Sequence, residues 1–219
     1  MAHTAARIRM ASAAASAVYL LTQPWQPYPG SAFIKGFSVA ALAWVAYREA
    51  SGRRDFLLLG TALLLSSFGD VLLDLDPGLF VGGLCAFLTA HVLYTVIFII
   101  HRARPFAPSG ARIALLVVVL GYAALFARWL IPGMGPLAVP VALYICAITA
   151  MVLTAILARF PTYFPVLGAF LFFASDSVLA IHRFKTPVPM RGVLVWTTYY
   201  LAQYSIAAGV LKVSRPAVD

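Results

Sequence analysis

Apolar runs of membrane-spanning length follow one another along almost the whole chain. Eight such runs can be marked: 8–23, 31–48, 55–74, 80–101, 112–130, 136–157, 163–182 and 192–213. An α-helix needs about 20 mostly apolar residues to cross a bilayer, and in lipid it satisfies its own backbone polar groups. The runs lack the period-two alternation of a membrane β-barrel. The sequence therefore predicts an all-α, polytopic transmembrane bundle of eight helices, in a single integral-membrane domain over residues 1–219.

The composition supports a membrane protein and argues against other classes. Only 11% of the residues are charged and 63% are hydrophobic, whereas a soluble domain carries about 25% charged residues. The net charge of +9 is not gathered into a long basic stretch outside the runs, so the expected partner is membrane lipid and not nucleic acid. Cys85 and Cys146 lie inside apolar runs without metal-ligand spacing. They are expected to be small core residues, and neither a metal nor another cofactor is required.

The distribution of lysine and arginine predicts the orientation, because these residues concentrate on the cytoplasmic side. A cytoplasmic N-terminus with eight spans places five cations outside: Lys35, Arg128, Arg183, Lys185 and Arg191. The other lysines and arginines, Arg104 and Arg215 among them, then fall inside. We therefore expect both termini to be cytoplasmic, in a multi-pass protein of the bacterial cytoplasmic (inner) membrane.

Two aspartates interrupt the apolar runs. Asp70 lies in LSSFGDVLL (65–73) and Asp176 in LFFASDSVL (171–179). An ionisable group near the centre of a transmembrane helix costs about 2.5–3.5 kcal/mol on insertion scales. Either both aspartates are structural, bonding a neighbouring helix, or they face a shared polar cavity in which the function resides. The second interpretation is favoured because both are expected at similar depth.

A weak internal repeat relates the two aspartates. Each is followed 24 positions later by a tyrosine, Tyr94 and Tyr200. The pattern predicts two halves of four helices each, about 1–106 and 107–219. Membrane proteins with internal repeats often place their sites at the repeat interface.

Further polar side chains are expected at the depth of the aspartates. His91 and Tyr94 lie three residues apart on run four, and Tyr199 and Gln203 share a face of run eight, beside Tyr200. The histidine is either a satisfied core residue or a site residue, and the tyrosines are either core hydrogen-bond partners or catalysts. Asp74 and Asp76 follow Asp70 toward the outer mouth, where they are expected to be solvated.

The outer loop between runs seven and eight carries an unexpected cluster of cations, formed by Arg183, Lys185 and Arg191. The cluster is either a solvated loop or a phosphate-binding rim above the aspartates. Two carboxylates that share a low-dielectric site tend to hold one proton between them, which supplies an acid and a base. Such a pair suits hydrolysis through an oxocarbenium-like state. It also suits a proton relay in a small transporter, or headgroup contacts in a lipid-binding protein.

Two blocks of residues resemble the lysoplasmalogenase family of multi-pass membrane proteins, also called YhhN-like. The first block comprises residues 66–73, 80–83, 86–87 and 91–94. The second comprises residues 172–179, Phe184 and residues 198–203. The spacing of the blocks and the eight-run layout resemble the family along nearly the whole chain.

The resemblance implies hydrolysis of the vinyl ether bond of lysoplasmalogens to a fatty aldehyde and a glycerophospho-ethanolamine or -choline. It implies Asp70 and Asp176 as the catalytic pair. His91, Tyr94, Tyr199, Tyr200 and Gln203 would position substrate or water. Arg183, Lys185 or Arg191 would engage the phosphate of the lysophospholipid, and the alkenyl tail would lie between apolar helix faces.

Overall fold

The computed structural model describes residues 2–102 and 108–213. Within these ranges it contains eight α-helices, which confirms the all-α prediction: α1 Ala2–Leu21, α2 Ser31–Ala50, α3 Arg54–Leu75, α4 Phe80–Ile100, α5 Gly110–Leu130, α6 Ala138–Leu157, α7 Phe164–Phe184 and α8 Arg191–Val210. Short 3₁₀ turns at Gln23–Trp25, Pro77–Leu79 and Gly135–Leu137 lead toward the next helix. Arg104, Arg215 and the expected repeat boundary at 106/107 lie outside the described residues.

Five of the helices have the length and apolarity needed to cross a membrane: α3, α4 with its preceding turn, α5, α6 with its preceding turn, and α7. The chain is therefore a multi-pass membrane protein. The helices α1, α2 and α8 are less apolar because they carry hydroxyl, amide and basic side chains. The expectations that all eight helices cross and that both termini are cytoplasmic stay predictions.

The helices pack so that α8 closes the bundle. Helices α1 to α4 contact one another in chain order, α4 continues to α6, and α7 packs along α8, which reaches α1, α2 and α3. Helix α5 lies at the periphery against α6 and α7, and most of its apolar side chains are exposed. Cys85 and Cys146, expected in the core, are also exposed, since a small apolar side chain is as stable against lipid as in a core.

Polar side chains gather at both ends of the bundle. At one end Asp55 accepts hydrogen bonds from Arg53, whose Nη2 lies 2.5 Å from Oδ2, and it contacts His101 Nε2 at 3.0 Å. Arg53 also donates to the carbonyl oxygen of Val213. These contacts join the start of α3 to the ends of α4 and α8. The opposite end, where α3 and α7 terminate, holds the candidate site.

A glycine sets the close approach of α7 and α8. A Cβ atom added at Gly168 would lie 2.7 Å from the carbonyl oxygen of Ala202 and 3.0 Å from the backbone nitrogen of Ile206. Backbone atoms cannot rotate away as a flexible side chain would, so the two helices would have to separate. A Cβ atom added at Gly121 on the peripheral α5 would meet no other atom within 4 Å.

Substituting these two glycines separates the effect of helix packing on stability from the effect of helix propensity. We expect Gly168→Ala to lower the free energy of unfolding by about 1–3 kcal/mol, because it overpacks the α7–α8 contact. Gly121→Ala should be neutral or stabilising by up to about 1 kcal/mol, because alanine favours the helix. Thermal unfolding in detergent, followed by circular dichroism, measures both. Equal effects would contradict the packing described for α7 and α8.

Candidate active site

Asp70 lies on α3 and is almost fully buried, with 2% of its surface exposed. Its Oδ2 accepts a hydrogen bond of 2.6 Å from the hydroxyl group of Tyr199 on α8. Its Oδ1 lies 3.7 Å from the ammonium nitrogen of Lys35 on α2. The carboxyl group is therefore compensated by one neutral donor and one cation, from two other helices.

Lys35 stands between two carboxyl groups. Its ammonium group donates to Oδ1 of Asp74 at 3.0 Å, in addition to its contact with Asp70. The other oxygen of Asp74 accepts a hydrogen bond of 2.9 Å from Tyr19 on α1. The expectation that Asp74 is solvated was therefore wrong, because the lysine and the tyrosine hold it in a partly buried ion pair. Asp76 is exposed, as expected, and its side chain accepts from the backbone nitrogen of Gly78 at 2.5 Å.

Asp176 on α7 is held from two further helices. The Tyr144 hydroxyl group on α6 donates to its Oδ2 at 2.5 Å, and Nε2 of His91 on α4 lies 3.3 Å from the same oxygen. The histidine nitrogen is also 3.0 Å from the Tyr144 oxygen. His91 is fully buried, and its ring meets that of Phe172 edge-on. A proton on Nε2 is the tautomer that these contacts favour, because that nitrogen faces both oxygens.

Both aspartates line the same cleft, which has a volume of about 300 Å³. Lys35, Tyr144 and Tyr199 share this lining. Because the aspartates come from α3 and α7, the cleft brings together carboxyl groups that lie far apart in the sequence. The arrangement offers two differently supported carboxyl groups to one bound molecule.

Four predicted positioning residues are absent from the described lining of the cleft: His91, which contacts Asp176, and three residues that have other partners. Tyr94 donates a hydrogen bond of 2.6 Å to Oε1 of Gln203, and both side chains are fully buried. The Tyr200 hydroxyl group is 2.8 Å from Oγ of Ser12 on α1. None of the three is among the described residues that line the cleft. Their role in the site stays a prediction, and the structure places them in contacts that join α8 to α4 and α1.

Of the three predicted phosphate-binding cations, two line the cleft and one does not. Arg183 and Arg191 line the cleft, and the Arg183 guanidinium lies over the ring of Phe80. Lys185 is outside the described lining, with its ammonium group 5.4 Å from the centre of the Trp129 ring. The backbone nitrogen of Val188 donates to Nδ1 of His182 at 3.0 Å, which closes the loop between α7 and α8.

Sequence reasoning missed Lys35 and Tyr144 as site residues. Lys35 was counted only as one of the outer cations, although it lies within the second apolar run. Tyr144 lies in the sixth run and belongs to neither motif block. The signal that applies to Lys35 is an ionisable residue inside an apolar run of transmembrane length, because such a residue usually has a partner inside the bundle.

The chain is similar to known proteins along most of its length. The model of the YhhN family matches residues 30–210. The chain belongs to the YhhN family. It is 39% identical over 179 residues to proteins of Mycobacterium bovis and Mycobacterium tuberculosis, each named lysoplasmalogenase, covering 80% of this chain and 68% of theirs. It is 34% identical over 194 residues to human Lysoplasmalogenase TMEM86B, covering 86% of this chain and 79% of that protein. No solved structure matches.

Removal of the cation at position 35 tests the ionic arrangement around Asp70. We expect Lys35→Met to lower the free energy of unfolding by about 3–5 kcal/mol, because it leaves two carboxyl groups without their shared cation. Thermal unfolding in detergent provides the measurement. The matched control is Lys185→Met, which removes an exposed lysine at the same end and should have little effect. Equal stability of the two variants would contradict the pairing.

Proposed function

We propose that this chain is a membrane-embedded lysoplasmalogenase, which hydrolyses the vinyl ether bond of alkenyl-glycerophosphocholine or -ethanolamine. The products are a fatty aldehyde and the glycerophospho-headgroup compound. The observation that carries the proposal is the single cleft lined by both Asp70 and Asp176. The names of the mycobacterial and human relatives support the choice of substrate.

The chemistry of a vinyl ether suits a pair of carboxyl groups. An acid first donates a proton to the alkenyl carbon that does not carry oxygen, which leaves an oxocarbenium ion at the other carbon. Water then adds to that carbon and loses a proton, giving a hemiacetal. The hemiacetal collapses by breaking its bond to the glycerol oxygen, which takes up a proton, while the aldehyde is released. The reaction consumes one water and returns every proton.

The two aspartates divide these tasks. One donates the proton as a carboxylic acid, and the other, as a carboxylate, faces the cation and accepts the proton of the attacking water. Tyr199 and Tyr144 fix the orientation of the carboxyl groups through hydrogen bonds of 2.6 and 2.5 Å. His91, beside Asp176 and Tyr144 but outside the described lining of the cleft, supports that carboxyl group.

The rim of the cleft matches a zwitterionic headgroup. Arg183 and Arg191 supply positive charge for the phosphate. Asp76 lines the same cleft and exposes its side chain, which provides negative charge near an ammonium group. The substrate reaches this rim from the membrane, which we propose to be the bacterial cytoplasmic membrane, with the cleft opening to its outer side.

The catalytic proposal predicts a loss of turnover in two variants. Asp70→Asn and Asp176→Asn should each lower aldehyde release by at least about 100-fold, because an amide neither donates nor accepts the required proton. The assay measures aldehyde formed by purified protein in detergent, from lyso-alkenyl phospholipids with choline and with ethanolamine headgroups.

The matched control is Glu49→Gln, which removes a carboxylate that pairs with Arg9 away from the cleft. It should retain wild-type turnover. Full activity in both aspartate variants would contradict the mechanism. Absence of aldehyde from folded wild-type protein, with both headgroups, would favour transport or lipid binding, which require no hydrolysis.

The rim predicts a change in substrate binding. Arg183→Gln and Arg191→Gln should each raise KM several-fold with a smaller effect on kcat, because the phosphate is bound in both the ground state and the transition state. Arg128→Gln removes an exposed arginine from the end of α5, outside the described lining, and serves as the control. Lys185→Gln measures the contribution of the third predicted cation. Unchanged KM in both rim variants would contradict phosphate binding here.

A further inference from the structure

A second, apolar cavity lies between α4, α5, α6 and α7 and adjoins the cleft. It has a volume of about 60 Å³, and aliphatic and aromatic side chains form most of its wall. Deep in the bundle it is lined by Val141, Ile145 and Ile148 of α6. Phe126 and Leu130 of the peripheral α5 also line it.

The cavity and the cleft share part of their walls. Both spaces are lined by Asp176, Tyr144 and Arg183. Asp70 and Lys35 line the cleft and are not among the described residues that line the cavity. A molecule that occupies both spaces therefore passes beside the carboxyl group of Asp176. Its polar part lies toward Asp70 and the arginines, and its apolar part toward α6.

We propose that the apolar cavity is the subsite for the first carbons of the lysolipid alkenyl chain, next to the vinyl ether. This inference rests on the proposed function for the identity of the chain. The match is chemical, because the lysolipid changes from polar to apolar at its ether linkage and the two spaces change from polar to apolar at Asp176. The cavity is too small for a complete fatty chain, so the remainder extends between the helices toward lipid.

The subsite positions the substrate chain more than it raises the affinity for that chain. A chain dissolved in lipid or detergent is already in apolar surroundings, so its transfer into the cavity gains little free energy. By holding the carbons that follow the vinyl group, the cavity positions the vinyl group of a long-chain substrate beside Asp176. Blocking the cavity should therefore impair long-chain substrates and spare a substrate that has no tail to place there.

The direct test compares two lyso-alkenyl phospholipids, one with a hexadecenyl chain and one with a propenyl chain. Ile145→Trp and Val141→Trp fill the cavity with an indole ring. Each should lower the ratio of kcat/KM for hexadecenyl over propenyl substrate by about tenfold or more, the scale on which an apolar pocket discriminates chain length. The control Leu143→Trp alters an exposed position on the same helix and should keep the wild-type ratio.

An unchanged ratio in variants that still hydrolyse the propenyl substrate would overturn the inference. If both tryptophan variants fail to fold, Ile145→Ala provides the converse test, because it enlarges the cavity. It should raise turnover of a chain with a methyl branch near the vinyl group, relative to a straight chain. No gain for the branched chain would also overturn the inference.

A binding experiment separates this inference from the proposed function. A saturated ether lysolipid, with a photoreactive diazirine near the ether end of its chain, needs no hydrolysis to report its position. Labelling of α4, α5, α6 or α7 peptides in the wild-type protein, competed by unlabelled lysolipid and reduced in Ile145→Trp, supports the subsite even if no vinyl ether is cleaved. Labelling confined to α1, α2 and α8, which do not line the cavity among the described residues, contradicts it, whether or not the wild-type protein releases aldehyde.

Discussion

The pairing of the two cleft aspartates with donors from other helices is the interaction on which the site depends. Asp70 meets Tyr199 and Lys35, and Asp176 meets Tyr144 and His91. A carboxyl group inside a membrane protein is costly unless such partners surround it. The contacts bring α2, α3 and α8 together around one carboxyl group and α4, α6 and α7 around the other. These six helices, together with α1 through Tyr19, line a single polar cleft.

The need for partners inside the bundle accounts for the difference in polarity between the helices. Helices α1, α2 and α8 carry many polar side chains because these bond one another inside the bundle, as Ser12 does with the backbone of Ser38 and the hydroxyl group of Tyr200. Helix α5 has few such contacts and exposes an apolar surface instead. The polar side of the bundle presents the headgroup-sized cleft, and the apolar side presents the cavity next to it.

The fold followed from run length and composition, because helix formation in lipid is a local requirement that each segment meets by itself. The two motif blocks predicted Asp70, Asp176 and His91 as site residues, and ionisable side chains of this kind are rare in apolar runs. Lys35 and Tyr144 could not be assigned in this way, since their role depends on which helix faces meet in space. For the same reason the spacing of His91 and Tyr94 did not reveal that the two side chains have different partners. The His91 imidazole contacts Asp176, whereas the Tyr94 hydroxyl group donates to Gln203.

The position of proton transfer tests the central claim most directly. The purified protein would hydrolyse a lyso-alkenyl phospholipid in heavy water, and mass spectrometry would locate the deuterium in the products. Protonation of the vinyl carbon predicts one carbon-bound deuterium, at the carbon next to the aldehyde group. The same reaction in ¹⁸O-labelled water predicts no label in the released glycerol hydroxyl group, because water attacks the alkenyl carbon. Aldehyde without carbon-bound deuterium, or ¹⁸O in the glycerol product, would contradict the account.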